Sequence, residues 1–303
     1  MPIGLLTGLA AAVCWGTLDL FSALASRRIG SLRVTTGMQI VGALLVWAAA
    51  IATGTKLSMD PFVLIGGSLV GLAGAGAYLS YFTGLRIGPI AVVSGVVAAY
   101  GGLTVVLAVL LRGETLTSVQ ALGAVIATVG VVMTGLAFDQ GWRNTRFASP
   151  GVAFAVVALV LFATMTIISD VVIDRAPWLE VIVVSRTANA ILSTLVLILA
   201  VTTFRRLAAP IIEGEEGDGG SGRADARVIA FVILAGTLDV LGLAAFAYGL
   251  ENADTWLVGL ASSFGPAVTI IVAVALLGER LRPTQWIGLG GILVGMIAIG
   301  LPS

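Results

Sequence analysis

Apolar runs of about 20 residues, the length a helix needs to cross a bilayer, follow one another along the whole chain. Ten are read, at 3–25, 32–53, 62–84, 89–111, 117–137, 150–170, 179–203, 227–250, 255–277 and 284–301. The runs are continuous, with no polar–apolar alternation, so they predict helices and not the strands of a barrel. Most connections are short. Residues 138–149 read as a linker, and residues 204–226 carry Glu213, Glu215, Glu216 and Asp218 among glycines and Ser221. Such a segment has too little apolar area to fold and is expected to be a flexible solvated loop.

The pattern repeats. Gly84-Leu85, Gly113-Glu114, Leu116, Gln120, Gly123 and Gly130 recur as Gly249-Leu250, Gly278-Glu279, Leu281, Gln285, Gly288 and Gly295, all at one constant offset of 165. Over positions 84–130 there are 14 identities in 47. The opening spans also align, more weakly: Gly4 with Gly151 sets Trp15 opposite Phe162, at an offset of 147. The larger offset of the later spans is absorbed by the 204–226 loop. The expected organisation is a first five-helix repeat at 1–137, the linker at 138–149 and a second repeat at 150–303. A duplicated unit with an odd number of spans enters the membrane in opposite orientations. The fold class is therefore an all-α membrane protein, ten transmembrane helices in two inverted five-helix repeats around a central cavity. Secondary transporters build mid-membrane sites in this way.

Composition agrees with a lipid-facing chain: 58% hydrophobic and 11% charged, with a mean hydropathy of +1.09. Net charge is zero, and no nucleic-acid partner is expected. With no histidine and a single cysteine, Cys14, neither a metal site nor a disulfide framework is expected. No cofactor and no enzymatic activity are expected either. Of the 16 basic residues, 12 lie in odd-numbered loops and three in even-numbered ones. By the positive-inside bias both termini face outward.

The ends of the two halves resemble the EamA branch of the drug/metabolite transporter superfamily. The second-half motif Gly278-Glu279-Arg280-Leu281 with Gln285-Trp286-Ile287-Gly288 carries the likeness, together with Trp15-Gly16 in the first span. The resemblance covers the whole chain and implies a transporter of small metabolites, amino acids or amphipathic drugs, in some members an exporter. It also implies a cavity lined by the first four spans of each half, and termini on the inside. The family often has a proline midway along the fourth and ninth spans. Pro266 matches, whereas Gly101 stands at the equivalent first-half position.

A charge at mid-span costs about 2.5–3.5 kcal/mol on insertion scales, so it marks a cavity or a partner. Asp19 lies four residues after Trp15, on one helical face, an acidic and aromatic pair suited to an ammonium group. Arg186, three residues before Asn189, offers a fork for a carboxylate or an ion pair to Asp19, Asp170 or Asp239. Asp239 aligns with Gly74, so the acid is present in only one half. Asp19 and Asp239 are candidates for proton coupling. Tyr78, Tyr81 and Tyr100 complete the substrate-binding set of Trp15, Asp19, Arg186, Asn189 and Asp239. Acid and base together favour a zwitterion. Gly101, Gly102, Gly265 and Pro266 read as hinges. Asp170 reads as an interfacial charge, and Glu114 and Glu279 as caps of the helices that follow them. Trp142, Trp178 and Trp256 read as interfacial anchors. Gly67-x-x-x-Gly71 and Gly291-x-x-x-Gly295 read as close helix contacts, the second within the protomer or between two copies.

The leading functional expectation is a multi-pass cell-membrane transporter, monomeric or homodimeric. It moves a small organic solute, amino-acid-like or amphipathic, by alternating access. A flippase-like carrier of a lipid-linked headgroup is the rival. An intramembrane enzyme or a scaffold ranks lower.

Overall fold

A computed structural model describes residues 3–58, 60–87, 90–135, 150–213, 225–265, 267, 268, 271, 272 and 283–300. The linker at 138–149, Pro266, Trp142, Glu279 and residues 214–224 lie outside these. Among the described residues the regular structure is helical: α1 (Ile3–Ile29), α2 (Ser31–Thr53), α3 (Pro61–Ile87), α4 (Ile90–Ala98), α5 (Tyr100–Leu107), α6 (Ser118–Gly135), α7 (Pro150–Ile173), α8 (Trp178–Thr202), α9 (Arg205–Ile212), α10 (Ala226–Asn252), α11 (Thr255–Ser262) and α12 (Pro283–Gly300). A π-turn, Ala108–Arg112, extends α5. Seven of the helical stretches are long and apolar enough to cross a membrane, and α6 and α12 are shorter apolar helices.

Helix starts follow the repeat. The starts of α7 and α8 match those of α1 and α2 at the first offset, Pro150 to Ile3 and Trp178 to Ser31. Those of α10, α11 and α12 match α3, α4 and α6 at the second, Ala226 to Pro61, Thr255 to Ile90 and Pro283 to Ser118. Packing follows the repeat too. α1 lies on α10 and α11, and α7 lies on α3 and α4; α2 meets α8, and α6 meets α12. Each of these contacts has its counterpart when the halves are exchanged. The most extensive contacts run between the halves, not within them.

The repeated motif is explained residue by residue. Gly113 has φ +69° and open space around its Cα, so glycine is needed there for backbone conformation, not for room. Gln120 and Thr117 form a capping box on α6: the Gln120 amide donates to Thr117 Oγ1 at 3.3 Å, and the Thr117 amide to Gln120 Oε1 at 2.9 Å. Glu114 does not cap α6, the helix that follows it. Its carboxylate accepts the amides of Thr255 and Trp256, both at 2.9 Å, at the start of α11 in the other half. With α6 already capped by its own box, the acid is left to reach across.

The glycines of α6 and α12 face each other. A Cβ on Gly123 would stand 2.9 Å from the Gly295 carbonyl oxygen, and one on Gly130 would stand 2.7 Å from that of Gly288. Gly291 lies against Gly130 in the same seam. The Gly291-x-x-x-Gly295 stripe is thus filled within the protomer. Gly67 and Gly71 likewise seat α3 against Val184 and the Ser185 carbonyl of α8.

Outward faces are apolar: Leu44, Ile51, Leu110, Leu122, Trp286 and Ile297 are exposed. Only 33–44% of the best apolar window of each long span is buried inside the molecule, so lipid must cover the rest. Two further expectations differ from what the fold does. Residues 205–212, expected in a solvated loop, form the short helix α9, because Ala208 and Ile212 bury against α2 and α8. Trp256 is 2% exposed and belongs to the core instead of an interface, since the α11 start that carries it is drawn inward to Glu114.

Candidate functional site

A cavity of about 90 Å³ opens where the halves meet. It is somewhat smaller than the ~150 Å³ apolar void that accepts a benzene-sized guest. Its walls come from α1, α3, α4, α5, α7, α10 and α11, and include Gly265. Twelve of the fourteen lining residues form repeat-related pairs: Trp15 with Phe162, Leu18 with Met165, Asp19 with Thr166, Tyr81 with Phe246, Val97 with Ser262 and Tyr100 with Gly265. Tyr78 and Ala98 complete the lining. The duplication brings equivalent positions from both halves into the lining, but their chemistry is unequal. The first half contributes the carboxylate and the larger polar aromatics; the second contributes smaller or wholly apolar groups.

Small residues make room for the large ones. A Cβ on Gly242 would stand 2.7 Å from Trp15 Nε1, so α10 can seat the indole only with glycine there. Trp15 in turn packs on Phe246, with centroids 5.5 Å apart. Phe162 stands edge-on to Tyr78 at 5.3 Å and tilted to Tyr100 at 5.7 Å. The Tyr100 and Ser262 hydroxyls share a hydrogen bond of 3.1 Å.

Behind Tyr78 lies a buried polar group. Tyr78 donates its hydroxyl to Asp239 Oδ1 at 3.3 Å. Arg186 Nη1 donates to Asp239 Oδ2 at 2.6 Å and to Gln39 Oε1 at 2.5 Å. Asp239 is fully buried, Gln39 is 1% exposed and Arg186 5%. Of the three acids open to Arg186, Asp239 is its partner. Gln39 is the repeat equivalent of Arg186, so the two halves touch through equivalent residues here. Asn189 sits deeper on α8, accepting the Ser193 hydroxyl at 3.0 Å and standing near Gly74.

The predicted site residues therefore divide. Trp15, Asp19, Tyr78, Tyr81 and Tyr100 line the cavity. Arg186, Asn189 and Asp239 do not; Asp239 touches the wall through Tyr78, and Arg186 stands behind Asp239. Leu18, Val97, Ala98, Phe162, Met165, Thr166, Phe246 and Ser262 line it too and were not in the predicted set. The repeat offsets pointed to three of them, Phe162, Thr166 and Phe246, as the equivalents of Trp15, Asp19 and Tyr81.

Both helices beside the cavity are interrupted. α5 begins after Ala99 (φ −72°, ψ −2°), and α11 ends at Ser263 (φ −72°, ψ −4°), within one residue of the repeat offset. Gly101 lies against Ser263 and the Gly259 carbonyl, while Gly102 lies against Thr128 of α6. At the far end of α5, Arg112 bonds Asp170 at 2.5 Å and also Asp174. Asp170, expected as an interfacial charge, is a buried partner in an ion pair that joins the two halves.

These features define a polytopic membrane protein with an aromatic cavity between two repeated halves. The chain belongs to the EamA-like transporter family, within the drug/metabolite transporter superfamily: the family matches residues 2–136 and again 149–301. An uncharacterized protein of Methanocaldococcus jannaschii is 29% identical over 79 residues, 26% of this chain; the match spans 58% of that relative's length. A solved crystal structure superposes with a TM-score of 0.78 over 98% of this chain and 96% of the other, at 22% identity. At that identity the likeness concerns the fold.

Proposed function

We propose that this protein is a secondary transporter of the cell membrane, built from ten spans in two inverted repeats, that moves a small organic solute by alternating access. The observation that carries the proposal is the cavity lined by repeat-related pairs. In a machine whose halves exchange roles, the solute site belongs on the axis that relates them, where either half can close over it. The matched interruptions at Ala99 and Ser263 support hinges around Gly101, Gly102, Gly265 and Pro266. Trp15, Asp19, Tyr78, Tyr81 and Tyr100 contact the solute. Arg186, Asp239 and Gln39 hold the wall behind Tyr78, and Asn189 supports α8.

Reconstitution in proteoliposomes tests this. The protein should catalyse saturable counterflow of a solute from a panel of small amines, amino acids and amphipathic metabolites. Trp15→Leu and Tyr100→Leu should each lower that flux at least tenfold while the protein stays folded. Movement of a fluorescent lipid across the bilayer, with no solute counterflow, would replace the proposal with a lipid carrier.

A further inference from the structure

We propose that α9 docks anionic phospholipid headgroups, and that a lipid held there fastens the joint between the two halves at its end of the molecule. The inference needs only the membrane placement of the chain and stands apart from the transporter reading.

The duplication does not account for α9. The repeat offset rises from 147 to 165 between α8 and α10, and α9 lies in the segment that makes the difference. Its depth follows from the helix before it. α8 has 25 residues, about 37 Å of helix, against a hydrocarbon core of about 30 Å. The end of α8 at Thr202 therefore reaches the headgroup layer, and α9 begins three residues later.

One face of α9 is turned to the protein. Ala208 and Ile212, one turn apart, pack with Leu32 of α2 and Ala200 of α8. Ser31 donates its hydroxyl to the Ile211 carbonyl at 3.5 Å, and a Cβ on Gly30 (φ +89°) would stand 2.6 Å from the Ile212 backbone. Since α2 belongs to the first half and α8 to the second, α9 is a clasp over their junction. The other face is turned out. Phe204, just before the helix, is 52% exposed. The Arg205 side chain is 74% exposed, and Arg206 is exposed beside it. Arg205 approaches Glu213 only to 3.9 Å, both groups being solvated. Such a contact contributes little and yields to a stronger partner.

An aromatic ring beside two guanidinium groups at headgroup depth fits one kind of surface. The ring enters the acyl boundary, and each guanidinium can pair its planar fork with phosphate oxygens. A zwitterionic lipid brings its own ammonium to compete for that phosphate; an anionic lipid does not. Among the described residues the arginines at this end outnumber the acids, Glu213 and Asp225, and Asp225 caps α10 through the Val228 amide at 2.8 Å. The positive-inside bias makes this the cytoplasmic end, where the leaflet carries the anionic lipid.

Phosphatidylglycerol and phosphatidylcholine with identical acyl chains are added to the purified protein in detergent. Native mass spectrometry counts the lipid retained, and the melting temperature reads the stabilisation. Phosphatidylglycerol should bind about tenfold tighter, with a preference that shrinks as salt rises. Changing Arg205→Gln and Arg206→Gln together should remove most of that preference, and Arg→Lys at both should keep part of it. Lys56→Gln, beyond the opposite end of α2, should leave it unchanged. Soluble glycerol 3-phosphate should not reproduce the stabilisation.

Equal binding of the two lipids overturns the proposal, and the acids that follow α9 in sequence, Glu215, Glu216 and Asp218, would then compensate the arginines. A preference intact in the Arg205→Gln, Arg206→Gln variant overturns it by placing the lipid elsewhere. A full effect from glycerol 3-phosphate overturns the lipid dock in favour of a phosphate site. Binding with no rise in melting temperature overturns the clasp.

Discussion

Arg186 and Asp239 face each other at 2.6 Å with almost no exposure, and a buried pair of this kind fails unevenly. Removing one partner strands the other in a low-dielectric interior, at a cost of about 3–5 kcal/mol, whereas replacing both with apolar groups is often close to neutral. Arg186→Met and Asp239→Leu should therefore each lower stability by about that much, and the double variant should recover most of the loss. Unfolding of all three in detergent checks it. Recovery absent from the double variant would mean that Gln39 or Tyr78 depends on the charges themselves. The sequence narrowed the partner of Arg186 to three acids but could not choose, because the choice depends on how α8 and α10 are rotated about their axes. The same limit hid the burial of Trp256 and the reach of Glu114 to α11. Tyr81 and Tyr100 line the cavity, although aromatics elsewhere in the spans, such as Trp47, Phe154 and Tyr248, are exposed on the outer faces.

At the scale of helices, small residues decide how near two axes come. Gly130→Val should drive a methyl-bearing carbon into the Gly288 carbonyl and part α6 from α12. Overpacking of this kind costs roughly 1–3 kcal/mol. Gly290 lies on the same helix as Gly288 but has nothing within 4 Å of a would-be Cβ, so Gly290→Ala should be neutral or slightly stabilising. Comparing the two melting temperatures separates close packing from a general intolerance of side chains in α12. Helix starts were highly legible. The apolar runs set them, and the two repeat offsets carry the register from one half to the other. α9 was not, because its eight residues are short and charged at one end, and bury only through α2 and α8.

For the whole molecule, the two halves differ in sequence at an ion triad beside the cavity. Arg112 ties the end of α5 to Asp170 in α7 and to Asp174 just after it. The repeat equivalents of these three are Leu277, Ala23 and Arg27, which cannot form the same ion triad. Under alternating access, Arg112→Met should raise the population open at the Arg112 end. In a Cys14→Ala background carrying Thr166→Cys, labelling from that side should rise several-fold, and unchanged labelling would count against a latch at this end. A further consequence lies in how the chain is made. The most extensive contacts of α1, α2, α3 and α6 are with α10, α8, α7 and α12, all synthesised later. The two repeats are packed into one another. The first half must wait in the bilayer with its glycine seam and its cavity wall unmatched. α6 gains its most extensive partner only once α12 has been inserted, so the seam between them cannot close before α12 is made.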